Sequence, residues 1–309
     1  MRIEKYPEYD FQRFSRDYIQ SFVELFSDSF GKVIDGKKVL DKYDTASFGA
    51  SYIGYIVFHE ERPIAYYGVI PFTLNYEGEE ILVAQSADTM THPQYQGKGL
   101  FTTLARMTFE LAAREGVKFI YGWPNQNSYY GFKNKLNWDE LGNMQVFRFP
   151  VMTLPLAKAS WKLKALRPLY DWYSARILNL LTRSTSDVLT TPEGTVMRNS
   201  AYLTYKKNLG SKVRAINDSI VWMRIDYRLK VGDLQMSGDF DNLWRKLKKL
   251  SFWLGITDLE FIVAPGSKWY RLLSEAHPSE DHLPLMYLLL DEKYLLGTTN
   301  FTGGDYDTF

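Results

Sequence analysis

A mixed α/β fold is predicted for this chain of 309 residues. Three observations predict it. From Ser51 to Met90 apolar residues recur with a period of two, in runs separated by His59-Glu60-Glu61-Arg62-Pro63 and by Glu77-Gly78. From Leu100 onward the period lengthens: Leu100, Leu104, Met107, Thr108 and Leu111 fall on one face of a helix. Between strand and helix lies Gln94-Tyr95-Gln96-Gly97-Lys98-Gly99, a glycine loop of the kind that joins the two in α/β proteins.

Taken in order, Arg2 to Tyr6 can form a first strand, and Tyr18, Phe22, Leu25 and Phe26 mark a helix that ends near Gly31. A short basic helix is expected over Gly36 to Tyr43. Tyr52 to Phe58, Ile64 to Tyr76 and Ile81 to Met90 then read as an antiparallel meander of three strands. Pro93 ends the last of them, because proline removes a backbone donor. After the helix, Lys118 to Trp123 reads as a short buried strand stopped by Pro124.

Gly97 and Gly99 leave the backbone open where the helix begins. Its unpaired N–H groups and the positive end of its dipole favour an anion there, and Lys98 adds a mobile cation. A lone Gly-x-Gly before a helix is equally served by a tight strand-to-helix turn. The pattern Gln/Arg-x-x-Gly-x-Gly differs from both the dinucleotide fingerprint and the P-loop. Gln85 to Glu115 resembles motif A of the GNAT superfamily of acyl-CoA-dependent N-acyltransferases. Asn125 to Trp138, with Phe132, Lys133 and Asn137-Trp138, is similar to its motif B.

The resemblance implies a GNAT fold over residues 1–150, with acetyl-CoA as co-substrate and no metal. It implies that the loop, through Gln94, Gln96, Gly97, Lys98, Gly99, Leu100 and Phe101, holds the pyrophosphate of coenzyme A. The pantetheine arm would pair with backbone near Met90, Thr91 and His92, in a gap between the strands on either side of the helix. Asn125 and Asn127 are counted with the coenzyme A contacts. The amine would attack the thioester directly, and a backbone N–H would hold the oxyanion, worth about 3–4 kcal/mol per donor in other acyl transfers. Two departures stand out. Where many relatives carry a tyrosine acid, this chain has Lys133, with Tyr129 and Tyr130 one helical turn earlier; packing under the helix is the other reading of both. Where some relatives place a glutamate base, this chain has Val83. Asp88 is the nearest acid, acting through water or bonding backbone at the splay.

Composition narrows the rest. A net charge of +1 implies no pull toward nucleic acid. The absence of cysteine excludes disulfides, a thiol nucleophile and thiolate metal sites. His59, His92, His277 and His282 lack metal-ligand spacing. Met1 to Pro7 has no signal-peptide core, and Leu283 to Leu290 is too short to span a bilayer. A soluble, cytoplasmic protein is expected.

Residues 151–195 read as a helical linker. Over Pro155 to Leu181, lysines and arginines mix with Trp161, Trp172 and leucines. Such a segment can lie on a membrane surface; the favoured reading is a linker packed between two domains with its cations in water. Residues 196–309 repeat the order strand, strand, strand, helix, strand, helix, strand, and read as a second, degenerate GNAT-like domain. Its counterpart of the glycine loop, Ser237-Gly238-Asp239-Phe240-Asp241, has two carboxylates in place of the cation and should not bind coenzyme A. Tandem members of the superfamily commonly use such a half to shape the acceptor pocket.

The expected activity is transfer of an acetyl group from acetyl-CoA to a primary amine of a small molecule, such as an amino sugar or amino acid derivative. A longer acyl or aminoacyl group, or a non-catalytic acyl-CoA sensor, are the alternatives; oligomeric state is not legible. An amine with a pKa of ~10 needs a proton acceptor. By analogy with some tandem enzymes, the Phe309 carboxylate, beside Asp305 and Asp307, is a candidate for that base, anchored by its ring between the domains; a frayed acidic end is the other reading.

Overall fold

Alternation in the first half builds an antiparallel ladder. The computed structural model of the chain describes residues 3–297 and 299–309. Strand β1 (Asp10–Arg13) is followed by helices α1 (Ile19–Phe30) and α2 (Gly36–Tyr43). The meander is β2 (Ile53–His59), β3 (Arg62–Tyr76) and β4 (Glu79–Thr91), and α3 (Leu100–Arg114) leads to β5 (Phe119–Gly122). The strand expected at Arg2–Tyr6 is instead a single bridge between Ile3 and Tyr6, with Arg2 outside the described residues. Neighbours run β1-β2-β3-β4-β5, antiparallel up to β4, with β4 and β5 parallel. Strand β3 is buried continuously from Pro63 to Phe72, so its run is apolar on both faces rather than half polar.

Helix α4 (Gln126–Tyr130) continues into a π turn over Gly131–Lys135. It is followed by β6 (Asp139–Pro150), a strand that the sequence patterns do not announce. Helices α5 (Leu156–Lys162) and α6 (Arg167–Leu181), short strands β7 (Arg183–Ser184) and β8 (Thr195–Val196), and helix α7 (Ser200–Asn208) come next. Then β9 (Lys212–Ile216), β10 (Ser219–Ile225) and β11 (Leu229–Gln235) form a second antiparallel meander. Helix α8 (Phe240–Trp253), β12 (Asp258–Val263), α9 (Lys268–Ser274) and β13 (Glu280–Leu289) complete the order. Strand β12 lies parallel to β11, as β5 lies parallel to β4.

The chain forms two compact units. The first comprises residues through Gly142 together with Leu283–Gly297, and the second Asn143–His282 with Thr299–Phe309. The last strand therefore does not belong with the second half, where alternation alone puts it: Met286–Leu289 of β13 pair with Phe119–Gly122 of β5. Each unit has its own core. In the first, Leu100, Leu104 and Leu111 of α3 pack with Ile53, Val57, Tyr67 and Trp138. In the second, Leu243, Trp244, Leu247 and Leu250 of α8 pack with Val221, Val231 and Phe261. At about 1.5–3 kcal/mol for each fully buried large apolar side chain, these faces supply the drive to form both units.

Candidate functional site

Three features of the first unit converge on one end of α3. The first is the helix start. Gly97 and Gly99 have φ of 77° and 81°, a left-handed conformation that disfavours any side chain. Gly99 is the N-cap of α3 and supplies no side-chain acceptor, so the first N–H groups of a helix of 15 residues are left to an outside partner. Thr102 Oγ1 donates back to Gly99 O at 2.9 Å, and Tyr6 OH donates to Lys98 O at 2.9 Å, holding the turn open.

The equivalent start in the second unit differs. There Asp239 caps α8 with its own carboxylate, accepting from the N–H groups of Asp241 and Asn242 at 3.2 Å each. The charge at that end is already satisfied internally.

The second feature is a break in β4. Register with β3 shifts between Tyr66 and Gly68, and Asp88 stands in the bulge with φ of 49°. Gly68 is packed against the Tyr66 hydroxyl so closely that an added Cβ would lie 2.0 Å from it. Past the bulge, β4 and β5 part: their paired positions are Ala84–Ile120 and Gln85–Tyr121, while β4 runs on to Thr91. His92 N–H donates to Ile64 O at 2.8 Å, so it is used within the sheet. This corrects the expectation that His92 backbone could pair with a pantetheine arm. Successive residues of a strand direct their backbone groups to opposite edges, so Thr91 presents its own to the other side from His92. Met90 is buried and stands opposite Tyr66.

The third feature is the start of α4. Asn125 Oδ1 caps it, accepting from Asn127 N–H at 2.9 Å and Ser128 N–H at 3.2 Å, and the Asn127 side chain is exposed. Phe101 of α3 lies against Gly131, and its ring meets Phe132 with centroids 5.8 Å apart. Leu100 is buried, so it offers the site backbone rather than side chain, while Phe101 is half-buried.

The charged and hydroxyl groups have definite partners. Lys98 is not mobile, as its sequence context suggested: Nζ donates to Tyr9 OH at 3.1 Å and sits 4.8 Å above the Tyr95 ring. Its pKa is raised, chiefly by that hydrogen bond. Gln96 Nε2 donates to Thr91 O at 3.3 Å, and Gln94 N–H donates to His92 Nδ1 at 3.2 Å. Asp88 accepts from Lys42 Nζ at 2.5 Å and from Tyr43 OH at 3.0 Å. It therefore bonds side chains rather than the backbone at the splay. Tyr43 is buried, and desolvation holds its pKa well above the ordinary value.

Tyr129 is half-buried against the core of the first unit, whereas Tyr130 is not packed there. Tyr129 OH donates to Glu140 Oε2 at 2.6 Å, which raises its pKa, and Tyr130 is 63% exposed. The Phe309 ring is buried in the second unit, 5.0 Å from Trp222 and against Gly232. Asp305 beside it is fully buried and ion-paired to Arg198, so it is not a free carboxylate.

Sequence reading missed Tyr6, Tyr9, Lys42 and Glu140. Each meets its partner only through the fold, Tyr6 and Lys98 being 92 positions apart. A surface cavity of about 430 Å³ also opens beside Tyr9, lined by Glu8, Asp10, Glu60 and Glu61; its carboxylates make it unsuited to phosphate. No cluster of side chains able to hold a metal occurs among the described residues.

Comparison with known proteins bears directly on this geometry. Solved structures resemble this one over most of the chain. A GCN5-related N-acetyltransferase from Kribbella flavida shares 16% identity, with 92% of this chain and 71% of that one covered at a TM-score of 0.56. A conserved protein of unknown function from Enterococcus faecalis V583, described as a probable N-acyltransferase, shares 12%, covering 92% and 73% at 0.60. A GCN5-related N-acetyltransferase from Anabaena variabilis ATCC 29413 shares 12%, covering 92% and 73% at 0.54. A search of curated proteins found no significant match. At these identities the structural likeness speaks to fold. The family model for the acetyltransferase (GNAT) domain matches residues 10–140, the segment that holds the bulge, the loop and both helix starts. It is residues 10–140 of this chain that resemble a GNAT acetyltransferase domain.

Proposed function

We propose that the first unit transfers an acetyl group from acetyl-CoA to the primary amine of a small molecule, such as an amino sugar or amino acid derivative. The observation that carries this reading is the side-chain-free N-terminus of α3 beside the parted edges of β4 and β5. The loop from Gln94 to Phe101 supplies backbone donors for the pyrophosphate, and Lys98 supplies a cation held in place by Tyr9 and Tyr95. The free edge of β4 around Thr91 receives the pantetheine amides. Asn125 and Asn127 flank the thioester end at the start of α4.

In the reaction the amine nitrogen attacks the thioester carbon, and the C–N bond forms as the carbonyl oxygen becomes an oxyanion. The C–S bond then breaks, the sulfur takes a proton, and the nitrogen loses one. Tyr129 and Tyr130 are the acid candidates; the Glu140 contact keeps Tyr129 protonated. Asp88, tied to Lys42 and Tyr43, serves first as the anchor of the bulge.

Those same ties favour a second reading, an acyl-CoA sensor without turnover, because Tyr129 and Asp88 both have engaged functional groups. Isothermal titration with acetyl-CoA and coenzyme A, followed by thiol release across an amine panel, separates the two. Binding with turnover is expected. Binding without turnover across the panel selects the sensor, and absence of binding removes both readings.

A further inference from the structure

Helix α6 has two apolar faces. One carries Tyr170, Tyr173, Ile177 and Leu178 and packs into the core of the second unit. The other carries Leu169, Trp172 and Leu180, spaced i, i+3 and i+11, and faces water: Leu169 is 64% exposed and Trp172 56%. An ordinary surface helix has a single apolar stripe, so the second one lacks a partner. It does not stand alone. Trp161 and Leu163 just before α6, and Phe252 and Trp253 at the end of α8, are also exposed. Thr153 Oγ1 donates to Phe252 O at 2.9 Å, and Tyr170 OH to Leu254 O at 3.0 Å, which ties the α5–α6 segment to the end of α8. Exposed large apolar side chains gathered on segments tied together in this way mark an interaction site.

Charge selects the occupant. From 151 to 183 the chain carries Lys158, Lys162, Lys164, Arg167, Arg176 and Arg183 against the single carboxylate Asp171. Lys158 and Arg167 are satisfied by Asp258 and Asp171. Lys162, Lys164 and Arg176 form no ion pair among the described residues, and the Arg176 guanidinium lies 4.7 Å over the exposed Trp172 ring. A second copy of this chain in a two-fold contact would set these cations against each other. An anionic bilayer matches the surface in both respects: tryptophan rings and leucines enter the headgroup boundary, while lysine and arginine reach the phosphates.

We propose that this face, formed by residues 152–181 with Phe252 and Trp253, docks on the surface of an anionic phospholipid membrane. The chain lies on the bilayer and does not cross it; no helix among the described residues is long and apolar enough to span one. The proposal is independent of the transferase reading.

The test is co-sedimentation of the full chain with sucrose-loaded vesicles of phosphatidylcholine alone or with phosphatidylglycerol. Binding to the anionic vesicles is expected, weakened by salt. Lys162→Glu/Lys164→Glu should lower the partition coefficient by about tenfold or more, since each cation near the surface contributes severalfold. Lys38→Glu/Lys207→Glu, which makes the same change in net charge at exposed positions elsewhere, should leave it near the wild-type value. Leu169→Ser/Trp172→Ser should weaken binding and remove its residual salt-resistant part. Circular dichroism verifies that the variants remain folded. Absence of wild-type binding to anionic vesicles at low salt overturns the proposal, as do equal losses in the two charge-reversal pairs. Concentration-dependent dimerisation abolished by Leu169→Ser/Trp172→Ser, without vesicle binding, overturns it in favour of a second copy.

Discussion

Lys42 Nζ donates to Asp88 Oδ2 at 2.5 Å, and so an ammonium on α2 fastens the bulge of β4. Tyr43 OH reaches the same carboxylate oxygen at 3.0 Å. Both charged side chains are largely buried, Lys42 at 12% and Asp88 at 17% exposure, so neither is readily given up to water. Asp88→Asn and Lys42→Met are expected to cost similar stability, about 1–3 kcal/mol each, by removing a charge-assisted hydrogen bond from a largely buried place. Urea unfolding measures this. If Asp88→Asn alone slows turnover by about a hundredfold or more and alters the acid limb of the pH profile, Asp88 is the general base instead.

Replacing Gly99 with valine combines an unfavourable φ with a side chain built within 3.0 Å of the Tyr6 hydroxyl. The KM for acetyl-CoA is expected to rise about tenfold or more, with the fold retained. Lys98→Ala should raise it less than about tenfold, because an exposed cation is screened. Titration calorimetry with coenzyme A reads both. An unchanged affinity in Gly99→Val places the cofactor site elsewhere.

Arg198 is fully buried and bonds Asp233 at 3.2 Å, Asp305, and the Val196 carbonyl at 3.1 Å. Its removal takes the guanidinium counter-charge from two buried carboxylates. Arg198→Met is expected to destabilise the second unit by about 3–5 kcal/mol, and Arg198→Lys should rescue little, since an ammonium cannot reproduce the forked contacts. A Tm close to wild type in Arg198→Met would show that the network adds no net stability.

Lys206 is buried, and desolvation lowers its pKa to about 7. The unfolded chain holds that proton up to about pH 10.4. Between these values the unfolded state binds more protons, so stability rises with pH across that window. The burial penalty is largest below pH 7. Lys206→Met should therefore be more favourable, or less damaging, at pH 6 than at pH 9, despite losing the hydrogen bond to Tyr306 O. Urea midpoints at the two pH values decide it; a variant effect independent of pH would mean that Lys206 stays protonated in the fold.

Much of this protein was legible in order and period. Alternation located the meander β2–β4 to within two residues at most ends, and the spacing of Leu100, Leu104 and Leu111 located α3 and its buried face. The glycine loop declared its conformation, since left-handed positions at Gly97 and Gly99 are a local backbone property. The capped helix start in the second half was equally local: the Asp239 side chain accepts from the first N–H groups of the helix that it begins. Tertiary structure alone decided the rest. Strand β13 pairs with β5, across more than 150 positions, because an exposed sheet edge takes whichever strand the fold delivers to it. Long separation in the chain likewise hid the partners of Lys98 and Asp88. Side-chain bonds depend on which surfaces meet, and no period records that. The second face of α6 shows the limit clearly: its composition was plain in the sequence, but only packing Tyr170 and Leu178 inward leaves Leu169 and Trp172 in water.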